Sequence, residues 1–71
     1  MDLISVSSSN LKAVGYDPAS QTLQIAFRNG GRYEYYNVPP AIHAALMAAS
    51  SKGSYFDARI KNASYRYRKL R

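Results

Sequence analysis

The stretch from Thr22 to Asn37 constrains the fold more than any other part of the chain. Leu23, Ile25 and Phe27 alternate with Thr22, Gln24 and Arg28, the period of a strand with one apolar face. Asn29-Gly30-Gly31 follows and supplies residues that tolerate positive φ, as a tight β-turn requires. Arg32 to Asn37 then returns as the partner strand. Loop length decides which residues join the apolar row. A two-residue loop at Asn29-Gly30 would set Arg32, Glu34 and Tyr36 beside Ile25 and Phe27. A three-residue loop with a bulge sets Tyr33 and Tyr35 there. Two rings match the row better than two charges, so the pattern predicts the three-residue loop, with Tyr36 on the opposite face.

The flanks extend this hairpin. Residues 3–10 are rich in serine and end at Asn10, which predicts an irregular or edge segment. Leu11 to Tyr16 reads as the first strand and Asp17-Pro18-Ala19-Ser20 as a turn. Val38-Pro39-Pro40 ends the sheet, because proline cannot continue a ladder. Pro40 suits the first turn of a helix, which runs from Ala41 to Ser50 with Ile42, Leu46 and Ala49 as its buried stripe. Ser50-Ser51 is expected to break the chain and cap a second helix, roughly Gly53 to Lys61, with Phe56 and Ile60 on its inner side. After Asn62-Ala63-Ser64, residues Tyr65 to Leu70 alternate ring or apolar side chain with base, as a short strand would. The class expected is α+β: a small three-stranded antiparallel meander, then two helices packed on one face, with a further short C-terminal strand as an addition. Residues 1–71 form a single domain.

At 71 residues, one core supplies only about 3–5 kcal/mol of net stability. There are no cysteines, so disulfides and thiolate metal sites are excluded. One histidine and four scattered carboxylates predict no metal site. Seven tyrosines and two phenylalanines must therefore fill the interior, or a second copy must cover a face. Met1-Asp2-Leu3-Ile4 lacks the basic start and long apolar run of a signal peptide. Ala41 to Ala49 is too short to span a bilayer. The expectation is a cytoplasmic protein without a membrane partner.

Enzymatic constellations are missing from the sequence. No cysteine nucleophile, general acid–base pair, P-loop or dinucleotide fingerprint occurs, and His43 sits in an apolar helical stretch. No catalytic residue, cofactor or small-molecule substrate is expected. Charge points instead to a binding role. In residues 1–58 four bases balance four acids, so the net charge of +6 belongs to Arg59, Lys61, Arg66, Arg68, Lys69 and Arg71. An excess of this kind fits an anionic partner. Bases interleave with tyrosines in Arg32-Tyr33-Glu34-Tyr35-Tyr36 and in Tyr65-Arg66-Tyr67-Arg68-Lys69. Cations neutralise phosphates and phenol rings stack on unpaired bases. The candidate contacts for RNA or single-stranded nucleic acid are the six terminal bases with Lys52, and Tyr36, Tyr65 and Tyr67. Tyrosine is also a core-filling residue, which leaves Tyr33 and Tyr35 open between packing and stacking. The competing expectation is a protein-interaction or self-association module, a homo-oligomer joined through sheet edges.

A set of ordered motifs runs through the chain: Val6-Ser7-Ser8-Ser9, Val14-Gly15-Tyr16-Asp17, Leu23 to Gly31, Tyr33-Glu34-Tyr35, Val38-Pro39-Pro40, Ser51 to Phe56 and Arg59-Ile60. Together they resemble the KTSC domain, a short domain at the C-terminus of some lysyl-tRNA synthetases that also occurs alone in small bacterial and phage proteins. Tyr33 and Tyr35 fit its Tyr-x-Tyr motif. The resemblance implies a stand-alone bacterial or phage domain with no assigned activity, and the synthetase attachment implies RNA as a ligand.

Overall fold

Phe27 and Gly31 close the central hairpin. The Phe27 N–H donates to the Gly31 carbonyl at 2.8 Å, and the Gly30 N–H to the Phe27 carbonyl at 3.0 Å. The loop is therefore Arg28-Asn29-Gly30, with Gly30 at φ +96°, a turn completed by a left-handed glycine. The Asn29 side chain accepts the Gly31 N–H at 2.9 Å. This register sets Tyr33 opposite Ile25 and Tyr35 opposite Leu23, so both rings join the apolar row as expected, but the loop starts one residue earlier than Asn29-Gly30-Gly31 and takes Arg28 out of the strand. A Cβ at Gly30 meets open space, but its φ is strained for any L side chain. Gly30→Ala is thus expected to destabilise the fold by about 1–2 kcal/mol, read from the midpoint of a urea titration.

The computed structural model describes residues 2–71; Met1, the first residue of the opening tetrapeptide, lies outside them. Five strands form one antiparallel sheet in chain order: β1 (Ile4–Ser5), β2 (Leu11–Asp17), β3 (Thr22–Phe27), β4 (Arg32–Tyr35) and β5 (Tyr67–Lys69). The expected three-stranded meander, β2 to β4, is its centre. The strand count was too low because β1 is two residues long and held by pairing of Ile4 with Val14 and Ser5 with Ala13. The C-terminal strand is present and pairs with β4. β2 carries an irregularity between Leu11 and Ala13. Lys12 is pushed outward there, and both Leu11 and Val14 stay in the core.

Helix α1 (Pro40–Ala48) starts on Pro40 as expected, and α2 (Lys52–Phe56) continues into a π-helical turn, Asp57–Lys61. Only Leu46 of α1 is fully buried. Ile42 and Ala49 are half-buried, because the helix stops at Ala48 and its alanines reach only shallowly. Ser51 stands at the N-cap of α2 without capping it. Its hydroxyl donates to Ser54 Oγ at 3.0 Å instead. In the wider π turn the Asn62 N–H reaches back to the Asp57 carbonyl at 3.1 Å. Phe56 and Ile60, four residues apart, face the core together with Leu11, Val14, Leu23, Ile25, Val38 and Leu46. None of the helices is long and apolar enough to cross a membrane.

Candidate nucleic-acid interface

Strand alternation carries the aromatic row across the sheet and onto its edge. Tyr35 pairs with Tyr67, and Tyr33 with Lys69, so Tyr67 and Lys69 share the helix-side face with Phe27, Tyr33 and Tyr35. Phe56 comes up from α2 beneath them. Its ring meets Phe27 and Tyr35 edge-on, both at 5.5 Å between centroids. Tyr67 leans over Tyr35 at 5.5 Å and Tyr33 at 5.9 Å. Exposure rises through the cluster: Phe56 is 1% and Tyr35 6% exposed, Phe27 and Tyr33 are half-buried, and Tyr67 is 61% exposed. One ring thus stands on a packed aromatic floor with most of its surface in water.

A groove of about 1020 Å³ runs along this cluster. Arg28, Lys61, Lys69 and Arg71 line it, with Asp57 as its one carboxylate. The tail is fixed there by backbone bonds: the Arg32 N–H donates to the Arg71 carbonyl at 3.1 Å, and the Arg32 carbonyl accepts from Leu70 and Arg71. Neither Phe27 and Phe56, read from sequence as core, nor Arg28 was singled out as a site residue. Arg28 reads as a strand residue in the sequence, and its place in the loop beside the groove comes from the turn the chain adopts.

The sequence-derived candidates divide between surfaces. Lys61, Tyr67, Lys69 and Arg71 line the groove. Arg68 lies opposite Glu34 on the other face of the sheet, and Arg66 is beside Tyr36, whose N–H its carbonyl accepts at 2.9 Å. The Tyr36 hydroxyl donates to Glu34 Oε1 at 3.0 Å. Desolvation and this hydrogen bond both hold the Tyr36 phenol above its ordinary pKa. Tyr65 is half-buried and packs on the core. Arg59 points to solvent from the π turn, outside the groove. Lys52 lines a separate cavity near α2. The Tyr-x-Tyr residues are a buried ring and a half-buried one, stacked at 6.3 Å.

Titration follows from burial. Tyr35 is pushed up to about 12, first by desolvation and then by Tyr33, Tyr67 and Asp57 nearby. A phenol raised in the folded state stabilises fully below the ordinary value near 10, and that contribution disappears as pH rises towards 12. The loss takes away a share of the stability of a domain this small. Circular dichroism should therefore show unfolding in that window, moved to higher pH in Tyr35→Phe. His43, stacked on Tyr16 at 4.4 Å, is lowered by desolvation. Its contribution is present above the ordinary histidine value and falls away on acidification through its folded pKa. No cluster of three or more histidine, cysteine or carboxylate groups suited to a metal occurs among the described residues.

A helix-backed antiparallel meander with an aromatic groove under a basic edge defines a small class of domain. Residues 7–67 match the KTSC domain, and the chain belongs to that family. It is 40% identical over 67 residues to an uncharacterised protein of Stutzerimonas stutzeri, covering 94% of both chains. It is also 40% identical over 68 residues to a lysine–tRNA ligase of Nostoc, covering 96% of this chain but only 12% of the ligase. The crystal structure of a KTSC domain protein from Yersinia pestis superposes with a TM-score of 0.93 at 41% identity, covering 99% of this chain and 97% of that one.

Proposed function

We propose that this domain binds single-stranded nucleic acid, RNA foremost, without catalysing a reaction, in the cytoplasm of a bacterial cell. Unpaired bases stack on Tyr67 and its aromatic floor, and phosphates meet Lys61, Lys69 and Arg71 along the rim. The observation that carries this reading is the largely exposed Tyr67 ring, set beside Lys69 in a groove that holds four bases against one acid. The tRNA ligases that contain a related segment handle an RNA by name, which agrees with it.

The two faces of β5 provide the test. Lys69→Glu and Arg68→Glu change charge equally on neighbouring residues whose side chains lie on opposite faces. In fluorescence anisotropy with a labelled single-stranded RNA, Lys69→Glu is expected to weaken binding and flatten the log–log salt slope by at least about 0.7. Arg68→Glu should keep most of the wild-type affinity. Equal losses in both variants would make the attraction a diffuse charge effect and remove the groove from the account.

Self-association has one observation in its favour, the 61% exposed Ile4 on edge strand β1. That strand is only two residues long. At the other edge, an antiparallel pair of β5 copies would bring the Arg68 and Lys69 cations of one copy close to those of the other, a like-charge arrangement that discourages edge pairing. A dimer in sedimentation at micromolar concentration would nevertheless reverse this order.

A further inference from the structure

Next to the groove lies a second, smaller cavity of about 340 Å³. Neither an aromatic ring nor a carboxylate lines it. Its walls are the serines of residues 7–9, Ser50 and Ser51, and two cations, Arg28 and Lys52. Three separate stretches of chain meet here: the approach to β2, the β3–β4 turn and the connection between α1 and α2. Gly53 eases this meeting. A Cβ at that position would displace the end of the Asn10 side chain, so glycine lets the start of α2 lie against the end of the first serine run with Asn10 in place. Asn10 is itself tied to that run through a hydrogen bond from Ser8 Oγ at 3.2 Å.

Both cations are held in place by backbone. Arg28 Nε donates to the Ser8 carbonyl at 2.7 Å, and Lys52 Nζ to the Ala49 carbonyl at 3.1 Å. Each bond occupies one N–H and leaves the other donors of that group for a ligand. Ser9 and Arg28 line both cavities, so the aromatic groove and the hydroxyl-lined cleft adjoin, with Arg28 between them.

We propose that this cleft is a phosphate subsite. It receives the phosphodiester next to the nucleotide whose base lies on the aromatic floor, with Lys52, Arg28 and serine hydroxyls as donors. The assignment rests on the strand-binding reading of the groove. Its chemistry is complementary to the groove's: hydroxyls and cations without rings suit a tetrahedral oxyanion and give a base nothing to stack on. Lys52 therefore acts on the strand at a distance from Tyr67, and its contribution depends on ligand length.

The experiment compares wild type, Lys52→Ala, Lys52→Arg and Tyr67→Ala against uridine and a uridine tetranucleotide, by calorimetry at several salt concentrations. Lys52→Ala is expected to weaken the tetranucleotide about tenfold and to flatten its salt slope by about 0.7. Uridine, which carries no phosphate, should be unaffected, and Lys52→Arg should restore most of the loss. Wild-type affinity and slope for the tetranucleotide in Lys52→Ala, alongside a loss in Tyr67→Ala, would overturn the cleft and leave the groove standing. A parallel titration of inorganic phosphate, followed by amide NMR, separates the remaining case. Saturable shifts at residues 7–9 and 50–53 that vanish in Lys52→Ala support an oxyanion site in its own right. Such shifts in a protein that binds no oligonucleotide would defeat the strand assignment and the groove reading together, leaving free phosphate as the ligand.

Discussion

Phe56→Ala is expected to leave the chain unfolded at room temperature, with the far-ultraviolet sheet signal and the amide dispersion both lost. Phe56 is 1% exposed and is the largest of the fully buried side chains. Truncating such a ring costs about 3–5 kcal/mol, transfer and cavity together. The whole domain has about 3–5 kcal/mol to lose. Phe56 is also the floor of the site, since Phe27 and Tyr35 both rest their rings against it. Phe56→Leu isolates that second role. It keeps most of the volume and loses two edge-to-face contacts worth about 0.5–1.5 kcal/mol each. Urea titration of the leucine variant should show a lowered midpoint with the unfolding slope unchanged. A stable, wild-type-like Phe56→Ala would mean that the core lies elsewhere.

The central hairpin was legible because one physical rule decided it. With a side-chain period of two, a three-residue loop places Tyr33 and Tyr35 on the face of Ile25 and Phe27, and a two-residue loop at Asn29-Gly30 would have placed Arg32 and Glu34 there; the pattern chose the face but not the loop's start at Arg28. The last strand was legible for the same reason, in the alternation of Tyr65 to Lys69. β1 carried no such signal: Ile4 and Ser5 are extended because β2 offers Val14 and Ala13 to pair with, a tertiary cause that leaves no local trace. The π turn after Phe56 carried no local signal either. The sequence reads there as ordinary helix, in which Phe56 and Ile60, four residues apart, would share a face as well. The alanine-rich α1 misled in the opposite direction, since a helical stripe of Ile42, Leu46 and Ala49 does not say how deep each residue will sit.

The candidate site was legible residue by residue and not as a surface. The six terminal bases read as one block of charge, but the alternation that makes β5 a strand also separates Arg66 and Arg68 from Tyr67, Lys69 and Arg71. That division could have been drawn from the pattern alone once the strand was accepted. The contribution of Arg28, and the meeting of the two serine runs across Gly53, could not. Both depend on which loops the sheet brings together.

The division has its sharpest consequence in two tyrosines that look alike in the sequence. Tyr67→Ala is expected to weaken single-stranded RNA binding about 5- to 150-fold, the range for loss of one stacked base. Tyr36→Ala is expected to leave it nearly unchanged. Each ring sits among bases, Tyr36 near Arg66 and Arg68, Tyr67 between Arg66 and Arg68 in the chain, so composition cannot rank them. Geometry does. The Tyr36 hydroxyl is bound to Glu34, and its ring lies on the sheet face away from the groove, beside a carboxylate that repels phosphate. Tyr67 is 61% exposed and leans over Tyr33 and Tyr35, where a base stacked on its open face would extend the aromatic cluster. Truncating so exposed a ring removes little buried area, so a circular dichroism melt should show both variants folded and the affinity ratio can be read directly. Tyr67→Phe should bind like wild type, because the ring and not its hydroxyl makes the contact. Should Tyr36→Ala be the damaging variant instead, the nucleic acid lies on the outer face of the sheet with Arg66 and Arg68, and the aromatic groove is an extension of the core.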